Sequence, residues 1–406
     1  MTAFEKFQRS LIVFLIAVTM FYGGYYVGQR GFVFQVRKNP PKVEVINRLP
    51  STQTVDFALF WEVWDTVGSR YLERPVDPQK MLYGAIQGMV SSLGDPYTSF
   101  LPPTVNESVT NSLNGTYQGI GAELAIRDSQ LIVVAPLDGS PAKDAGVKAG
   151  DAIVAIEGDS TTGITIIEAV AKIRGESGSS IRLTLARKGV AEPFDVDITR
   201  GDIKVDSVTW EDLGDGIAYI RISTFGADTN DQWSAAASSV NVEMDELNAV
   251  IVDVRGNPGG YLQSAVHIAG EFFSREPVLF EETATGEHIP FNAGRVGVFE
   301  DVPVYVLIDG GSASASEIVA AALKAHAGAT LIGQQSFGKG TIQDSKDFED
   351  GSGLHVTIAK WLTPEKVWIH GTGITPDVEV ERTPEEINED IDSQLDKAVE
   401  LAKSGL

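Results

Sequence analysis

The sequence contains no cysteine, which excludes disulfide bonds, thiolate catalysis and cysteine-ligated metal sites. It is also poor in basic residues, with 32 Lys and Arg against 56 Asp and Glu and a formal net charge of −24. Because a nucleic-acid surface needs clustered lysine and arginine, we expect no nucleic-acid partner. No HExxH motif or cluster of histidines and acids predicts a metal. We expect the five histidines to be core or surface residues: His267, His288, His326, His355 and His370.

The amino-terminal sequence carries no charged residue from position 10 to position 28, close to the roughly 20 residues that cross a bilayer. Lys6 and Arg9 precede this run, and three tyrosines lie near its far end, as interfacial aromatics do. A cleaved signal peptide is the alternative, but no convincing small-x-small cleavage site follows the run. We therefore predict an uncleaved single-pass anchor in the cell membrane, with the body of the protein on the extracytoplasmic (periplasmic or cell-surface) side.

The 406 residues are enough for two or three domains, and we predict a multidomain α/β fold. In the second half, apolar strands such as "AVIVDV" alternate with helical patterns, which predicts a largely parallel sheet covered on both faces. The predicted parts are residues 1–28, a cytoplasmic stub and transmembrane anchor; 29–50, a linker; 51–108, an N-terminal helical segment; 109–200, a β-rich domain; 201–383, an α/β core; and 384–406, a C-terminal helix.

The stretch "DGGSASASEIV", residues 309–319, follows an apolar strand and opens a helix. Backbone N–H groups at a helix start have no intrahelical acceptor, and neighbouring amides there can form an oxyanion hole for a serine nucleophile. Helix capping explains one serine by itself. The stretch has three, Ser312, Ser314 and Ser316, and this excess makes a nucleophile worth considering.

The stretch "GQQSFGKGTIQ", residues 333–343, places Lys339 between two glycines. It nearly spells a Walker A loop, but Gly340 stands where that motif has Ser or Thr, and a strand pattern follows instead of a helix, so a nucleotide site is disfavoured. A lysine in an apolar loop, without an adjacent acid, can become neutral through burial and act as the base for a serine. If residues 340–343 are extended, Gln343 shares a face with Lys339 and can hydrogen-bond its amine. An exposed turn lysine is the alternative.

A third stretch, "DVRGNPGGYL", residues 253–262, leaves the end of the strand "AVIVDV" and leads into a helix. Binding sites in open α/β sheets gather at the carboxyl ends of strands. Gly259 and Gly260 can present their N–H groups there without side-chain obstruction, which makes them candidate oxyanion donors. An ordinary turn is equally compatible with the sequence.

Together these stretches resemble the carboxyl-terminal processing (tail-specific) peptidases, which are serine proteases with an inserted PDZ domain. "GMVSSLGDPYTSFL", "GIAYIRISTF" and "TIAKWLTPEKVWIHGTGITPDVEV" are further similarities, so the resemblance covers nearly the whole chain after the predicted anchor. It implies a peptidase core with a ClpP/crotonase-like fold. It also implies that Ser314 is the nucleophile, Lys339 the base and Gln343 a supporting residue.

The resemblance further implies an oxyanion hole made by the N–H group of Ala315 and that of Gly260 or Gly259, with Gly260 preferred. The sequence departs from the family pattern at two positions. Asp309 and Gly256 stand where asparagines are common, which puts the rigidity of the two loops in question but changes no reacting atom.

The β-rich domain, on the same resemblance, is a PDZ domain. Its carboxylate-binding loop would be "YQGIGAEL", with the amides of Gly119, Ile120 and Gly121 binding the C-terminal carboxylate of a substrate. Arg174 is similar to a family residue that couples the PDZ domain to the active site. A surface helix arginine is the alternative.

The implied function is a membrane-anchored serine endopeptidase that cleaves proteins near or from their C-termini and needs no cofactor or metal. Its expected partners are protein substrates with apolar C-termini, the membrane through the N-terminal helix, and a second copy of the chain or a regulatory protein. The alternative is a PDZ scaffold with an idle catalytic set. The presence of all three catalytic residue types favours the enzyme.

Overall fold

The computed structural model describes residues 3–29, 32–38, 41–47, 57–127, 130–137, 139–148, 150–164, 166–294, 297–383 and 391–405, together with Glu386. The chain divides into two compact units, Met1–Leu82 and Tyr83–Leu406. The division falls inside a helix, and the second unit holds all three of the stretches on which the predicted site rests.

The described residues of the first unit form helices and one pair of antiparallel strands. Its elements are α1 (Ala3–Gln29), β1 (Phe32–Lys38), β2 (Pro41–Asn47), α2 (Ala58–Arg70) and the start of α3 (Pro78–Ser91). Strands β1 and β2 pair antiparallel, so the predicted linker contains a hairpin. Among the described residues, no helix combines the length and the apolar character needed to cross a membrane.

The second unit continues with a short strand and a helix, followed by the β-rich domain. In chain order these elements are β3 (Ser99–Leu101), α4 (Pro103–Leu113), β4 (Thr116–Gly119), β5 (Ala122–Arg127), β6 (Gln130–Pro136), α5 (Pro141–Asp144), β7 (Ala152–Ile156), β8 (Asp159–Ser160), α6 (Ile166–Ile173), β9 (Ser180–Ala186), β10 (Phe194–Thr199) and β11 (Gly201–Lys204).

The β-rich domain has an antiparallel sheet in the order β10-β9-β7-β6-β5, with β8 paired to β7. Strand β9 shows why it forms: Ile181, Leu183 and Leu185 alternate with more exposed residues and face a core of their own. Strand β5 lies at the edge of this sheet, and β4 pairs instead with β11. An edge strand beside helix α6 leaves backbone groups available for an added strand.

The rest of the second unit is an α/β core with two sheets. Its elements are β12 (Val208–Asp212), β13 (Ile217–Ile222), α7 (Thr229–Glu243), β14 (Ala249–Asp253), α8 (Leu262–Ala269), β15 (Pro277–Thr283), β16 (His288–Asn292), β17 (Val304–Ile308), α9 (Ala315–His326), β18 (Thr330–Gly333), β19 (Thr341–Asp347), β20 (Gly353–Leu362), β21 (Val378–Glu379) and α10 (Ser393–Ser404).

The main sheet has the strand order β12-β13-β14-β17-β18-β21, and every neighbouring pair except β12 with β13 is parallel. Its centre is covered on both faces, as the apolar strand patterns predict. In β14, Val250 and Val252 join the core that includes residues of α7, α8 and α9, whereas Ala249 and Ile251 join a second core with residues of α10. The parallel strands bring the loops after β14 and β17 to one edge.

A buried charge cluster ties the end of β14 to the C-terminal helix. Arg255 is 7% exposed and donates to Asp253 Oδ2 at 2.6 Å and to Asp392 Oδ1 at 2.7 Å. Asp392 is the N-cap of α10 and accepts a hydrogen bond from the Leu395 N–H group. Because breaking a buried ion pair leaves an uncompensated charge, this cluster fixes α10 against the sheet just before the Gly259 loop.

The second sheet is antiparallel, in the order β16-β15-β20-β19, and β3 pairs with the first residues of β20. It receives the chain as it leaves the lysine stretch, because β19 begins at Thr341. The residues just before β3 are thereby held beside the lysine stretch, although more than 200 residues separate them along the chain.

Candidate active site

The three predicted stretches meet at one cavity of about 580 Å³, which we call the Ser314 cavity. Ser314, Lys339, Gln343, Gly259 and Gly260 all line it. Helix α4 closes part of it with Asn106, Ser108, Val109 and Leu113. The site predicted from the sequence is therefore assembled in the structure from separate parts of the second unit.

Ser314 lies at the N-cap of α9 with a positive φ of 54°. A non-glycine residue with positive φ is uncommon and is found where the surrounding structure holds it. The flanking serines supply part of that hold: Ser312 Oγ donates to Val254 O at 2.8 Å, and Ser316 Oγ donates to Asn257 O at 2.9 Å. Both flanking serines are fully buried, so only Ser314 of the three borders the cavity.

Two backbone N–H groups beside Ser314 are suited to an oxyanion. Among the described residues, neither the Ala315 N–H nor the Gly260 N–H has an acceptor. The Gly259 N–H, in contrast, donates to Asn257 Oδ1 at 2.9 Å. This difference favours Gly260 over Gly259 as the second donor. Gly259 lies so close to the serine that an added Cβ would be 2.8 Å from Ser314 Cβ.

The buried carboxylate of Glu317 joins the serine turn to the lysine stretch. Its Oε2 accepts from the Ser314 N–H at 2.8 Å and from the Lys339 N–H at 2.9 Å. Its Oε1 accepts from Ser336 Oγ at 2.6 Å and from the Gly338 N–H at 2.7 Å. Glu317 is fully buried, so these four donors compensate for the lost hydration of the carboxylate.

The backbone of the lysine stretch is held on its other side by tryptophans. Trp361 Nε1 donates to Lys339 O at 2.7 Å, and Trp368 Nε1 donates to Gly340 O at 2.7 Å. Gly340 is needed at this point because an added Cβ would be 2.8 Å from Trp368 Nε1. The loop is therefore fixed on both sides of the lysine.

The side chain of Lys339 is half-buried, and burial lowers its pKa below the ordinary value of 10.5. The sequence has no acid next to Lys339 before Asp344, but the folded chain brings two carboxylates near its side chain. The carboxylates of Asp95 and Glu317 both lie close enough to act against the lowering. Neither is near Lys339 in the sequence, so only the folded chain brings them there.

Gln343 lines the Ser314 cavity but does not make the predicted contact. Its Nε2 donates to Thr341 Oγ1 at 2.8 Å and to Thr357 Oγ1 at 3.3 Å. Among the described residues it makes no hydrogen bond with Lys339. The reason is that β19 begins only at Thr341 and has an irregular register between Ile342 and Gln343, so strand alternation does not place the two side chains on one face.

Ser314 and Lys339 border the same cavity, but within the described residues Ser314 Oγ and Lys339 Nζ make no hydrogen bond with each other. The lysine nitrogen lies instead 5.2 Å from the ring centroid of Tyr97. His355 also lines the cavity, and burial together with the nearby Lys339 lowers its pKa.

The two positions that depart from the family pattern contact each other. Asp309 Oδ1 accepts a hydrogen bond from the Gly256 N–H at 2.8 Å and another from the Gly311 N–H at 2.9 Å. One carboxylate thus links the loop after β14 to the loop after β17.

The four residues predicted in the β-rich domain lie away from the Ser314 cavity. Gly119, Ile120 and Gly121 are buried between β4 and the edge strand β5. Gly121 has φ +71°, and an added Cβ would be 2.4 Å from Ser140 Cβ. Arg174 follows α6, and its guanidinium stacks over the ring of Tyr117 at 4.9 Å. It borders a second cavity of about 650 Å³ that α4 also lines.

No group of three or more His, Asp or Glu side chains within the described residues is arranged to hold a metal ion.

Comparison with known proteins decides the family. Residues 216–380 match peptidase family S41, residues 132–187 match a PDZ domain, and residues 17–103 match the N-terminal domain of the activating protease CtpB. The carboxy-terminal processing protease CtpB of Bacillus subtilis is 37% identical over 324 residues, which are 79% of this chain and 67% of that protein. The chain belongs to the carboxy-terminal processing proteases.

A second relative agrees with this assignment. The carboxy-terminal-processing protease of Bartonella bacilliformis is 38% identical over 328 residues, covering 80% of this chain and 75% of that protein. The crystal structure of an S41 protease from Bacteroides fragilis covers 88% of this chain and 100% of its own, with a TM-score of 0.58 and 16% identity, and so shows the shared fold. The chain is thus a serine-type peptidase with a PDZ domain.

Sequence reasoning missed four residues of this protease site: Glu317, Asp95, Tyr97 and His355. One of them had a signal, because Ser314 and Glu317 have the spacing of a capping box, in which the residue three positions after the N-cap binds back to the cap. Asp95 and Tyr97 lie in "GMVSSLGDPYTSFL", one of the stretches similar to the family, but nothing in the sequence places them beside Lys339, since pairing of β3 with β20 is what brings them to the lysine.

Proposed function

We propose that this protease uses a Ser314–Lys339 dyad to cleave proteins near or from their C-termini. The observation that carries the proposal is the shared cavity, in which a serine with positive φ at a helix start and a half-buried lysine meet. The lowered pKa of Lys339 supports its role, because a neutral amine is needed to accept the serine proton.

In the proposed reaction, Lys339 Nζ takes the proton of Ser314 Oγ as the oxygen attacks the peptide carbonyl. The N–H groups of Ala315 and Gly260 stabilise the resulting oxyanion. The lysine then returns its proton to the leaving amine, and an acyl-enzyme remains. Water, deprotonated by the same lysine, releases the new C-terminus. Gln343 assists by orienting the lysine amine, for which its hydrogen bonds to the two threonines must be exchanged.

The PDZ domain is proposed to bind the C-terminus of the substrate and to gate the peptidase. An apolar C-terminal segment would add to the edge strand β5, with its carboxylate at the loop of Gly119, Ile120 and Gly121. Arg174 would relay binding of the substrate C-terminus to the peptidase, since it belongs to the PDZ domain and borders the second cavity, which helix α4 also lines. A peptide with an apolar last residue and a free C-terminal carboxylate should be cleaved with a lower KM than the same peptide with a C-terminal amide. Equal KM values would contradict the role of the loop.

Cellular location and assembly are proposals from the sequence alone. The uncharged run of residues 10–28 suggests membrane attachment with the protease body outside the cytoplasm, although the described helices do not support a span. A second copy or a regulatory protein is a further proposed partner. Location is tested by fractionation of cells that make the full chain, with and without treatment of the intact cells with an unrelated protease. Recovery of the chain in the cytoplasm would contradict the proposed location.

Cleavage of an unfolded protein by purified enzyme tests the dyad. Ser314→Ala and Lys339→Ala should each lower kcat/KM by at least about 10³, as removal of a nucleophile or its base does. Lys324→Ala and Ser404→Ala are matched controls, because both side chains are on the surface and should leave cleavage unchanged. Wild-type rates in either dyad variant would overturn the proposal, and absence of cleavage by all forms would favour the idle scaffold.

A further inference from the structure

The segment that precedes β3 forms one wall of the Lys339 environment. Strand β3 pairs with β20 through the partners Leu101 with Gly353 and Ser99 with His355. Just before the strand, the buried Thr98 accepts a hydrogen bond at Oγ1 from the Thr357 N–H at 3.0 Å. The segment is therefore attached to the same sheet that carries the chain away from Lys339.

Tyr97 presents its ring to the lysine nitrogen. The distance from Lys339 Nζ to the ring centroid is 5.2 Å, within the range of a cation–π interaction. The edge of the Tyr97 ring meets His370 with centroids 5.8 Å apart, and His370 stacks on Trp368 at 5.0 Å. Since Trp368 also binds Gly340 O, this row of rings is fastened to the backbone beside the lysine.

Asp95 is fixed at the base of the same segment. Its Oδ2 accepts from Thr98 Oγ1 at 2.6 Å, and its Oδ1 accepts from the Tyr97 N–H at 3.0 Å. Burial opposes the charge, but hydrogen bonds including those from Thr98 and Tyr97 lower the pKa of Asp95, so the carboxylate stays charged and acts on Lys339 as an opposite charge. The carboxylate and the aromatic ring therefore both favour the ammonium form of the lysine.

We propose that Asp95 and Tyr97 are positioning residues that hold the charged nitrogen of Lys339 at the wall of the Ser314 cavity and set the pH at which the protease gains its neutral base. This inference rests on the proposed role of Lys339 as the base. It explains why Lys339 contacts a ring instead of Ser314 Oγ in this structure. Entry of a substrate chain would displace the nitrogen from the ring toward the serine.

The charged and titratable groups around Lys339 come from three parts of the chain. Asp95 and Tyr97 face it from the segment before β3, Glu317 from α9, and His355 from β20. Glu317 is committed to four hydrogen bonds in the backbone of the site, so it is unsuitable as a probe. Asp95 and Tyr97 can be varied without touching those bonds.

The test is the pH dependence of serine acylation by a fluorophosphonate probe, measured as a rate on correctly folded enzyme. Asp95→Asn removes a charge but retains an acceptor, and Tyr97→Leu removes the ring. Each should move the acid limb of the rate to lower pH, by roughly half a unit or more, because the ammonium loses a stabilising partner. Tyr97→Phe retains the ring and should follow the wild-type profile. Asp350→Asn is the matched control, since this exposed carboxylate binds Tyr83 and Ser352 and should shift nothing.

Superimposable acid limbs for wild type, Asp95→Asn and Tyr97→Leu would overturn the inference. So would a shift in Tyr97→Phe equal to that in Tyr97→Leu, because the phenol hydroxyl and not the ring would then be responsible. Lys339→Ala is measured in parallel to separate the two proposals. If Lys339→Ala is acylated at the wild-type rate, the proposed dyad is wrong. If Lys339→Ala is inactive while the acid limbs of wild type, Asp95→Asn and Tyr97→Leu coincide, only the positioning role fails.

Discussion

The serine side and the lysine side of the Ser314 cavity are built in different ways. Ser314 is placed by backbone: it caps α9, has a positive φ, and is flanked by two serines whose hydroxyls bind the neighbouring loop. Lys339 has a backbone fixed by Glu317 and Trp361, but the environment of its nitrogen comes from side chains far away in the sequence. A nucleophile needs a fixed position, whereas a base needs an adjustable affinity for a proton.

The two sides of the cavity should therefore respond differently to substitution. Alteration of the serine side should act through geometry, because close-packed backbone leaves no room to adjust. Alteration of the lysine side should act through charge and burial, which shift a pKa while the fold remains intact. Three variants test whether this distinction holds.

Gly259→Ala should displace the loop that contacts Ser314 and lower activity. The residue has φ +99°, and the new Cβ would lie 2.8 Å from both Ala313 O and Ser314 Cβ. The loop must move and carry with it the Gly260 N–H group, the proposed oxyanion donor, so kcat/KM should fall by about 10² to 10³. Steady-state cleavage of a peptide measures this.

Gly256→Ala is its control in the same loop. It too has a positive φ, at +64°, but nothing lies within 4 Å of an added Cβ. It should lose about 1–2 kcal/mol of stability and keep its activity. Equal losses of activity in the two variants would show that backbone strain, and not approach to the serine, is responsible.

Glu317→Gln should affect both sides at once. The carboxylate accepts four hydrogen bonds, and an amide NH₂ in its place would face two of those donors. Displacement of the lysine stretch relative to Ser314 should lower kcat by about 10² with little change in KM. Glu300→Gln, an exposed residue that binds Ser274 Oγ at 3.1 Å, is the control. An unchanged kcat in Glu317→Gln would mean that each side is held independently.

Lys339→Met should raise the stability of the fold and so test whether burial of the lysine charge is costly. Burial lowers the pKa of Lys339 in the folded protein, so between that lowered value and about 10.5 the unfolded chain binds more protons. Wild-type stability therefore rises with pH through this window, and the variant lacks that dependence. At pH 7 the free energy of unfolding in urea should be greater for Lys339→Met than for the wild type.

The gain should shrink as the pH approaches 10.5. Lys324→Met, a surface lysine paired with Asp377, is the control and should show no such gain. A Lys339→Met protein less stable than wild type at pH 7 would contradict net burial of the charge, and would mean that Asp95, Glu317 and Tyr97 outweigh it.

The sequence alone predicted the parts of the fold that rest on local pattern. The apolar strands of the main sheet, its parallel order and helices α7, α8 and α9 follow from short-range periodicity, which tertiary packing reinforces. The roles of Ser314, Lys339, Ala315 and Gly260 stay predictions, but the structure brings Ser314, Lys339 and Gly260 to one cavity, and Ala315 directly follows Ser314. The hydrogen bond from Gln343 to the lysine was not found, because it depended on a strand register that a bulge changes.

Sequence by itself determined the family, the absence of thiol chemistry and which residue types are present for acyl transfer, since each of these depends on residue identity and spacing. Tertiary structure alone decided what surrounds the lysine nitrogen. Asp95 and Tyr97 reach it through the pairing of β3 with β20, and Glu317 reaches its backbone from α9. Such contacts between distant segments set electrostatic energies that no local pattern encodes, because charge and burial act through space and not along the chain.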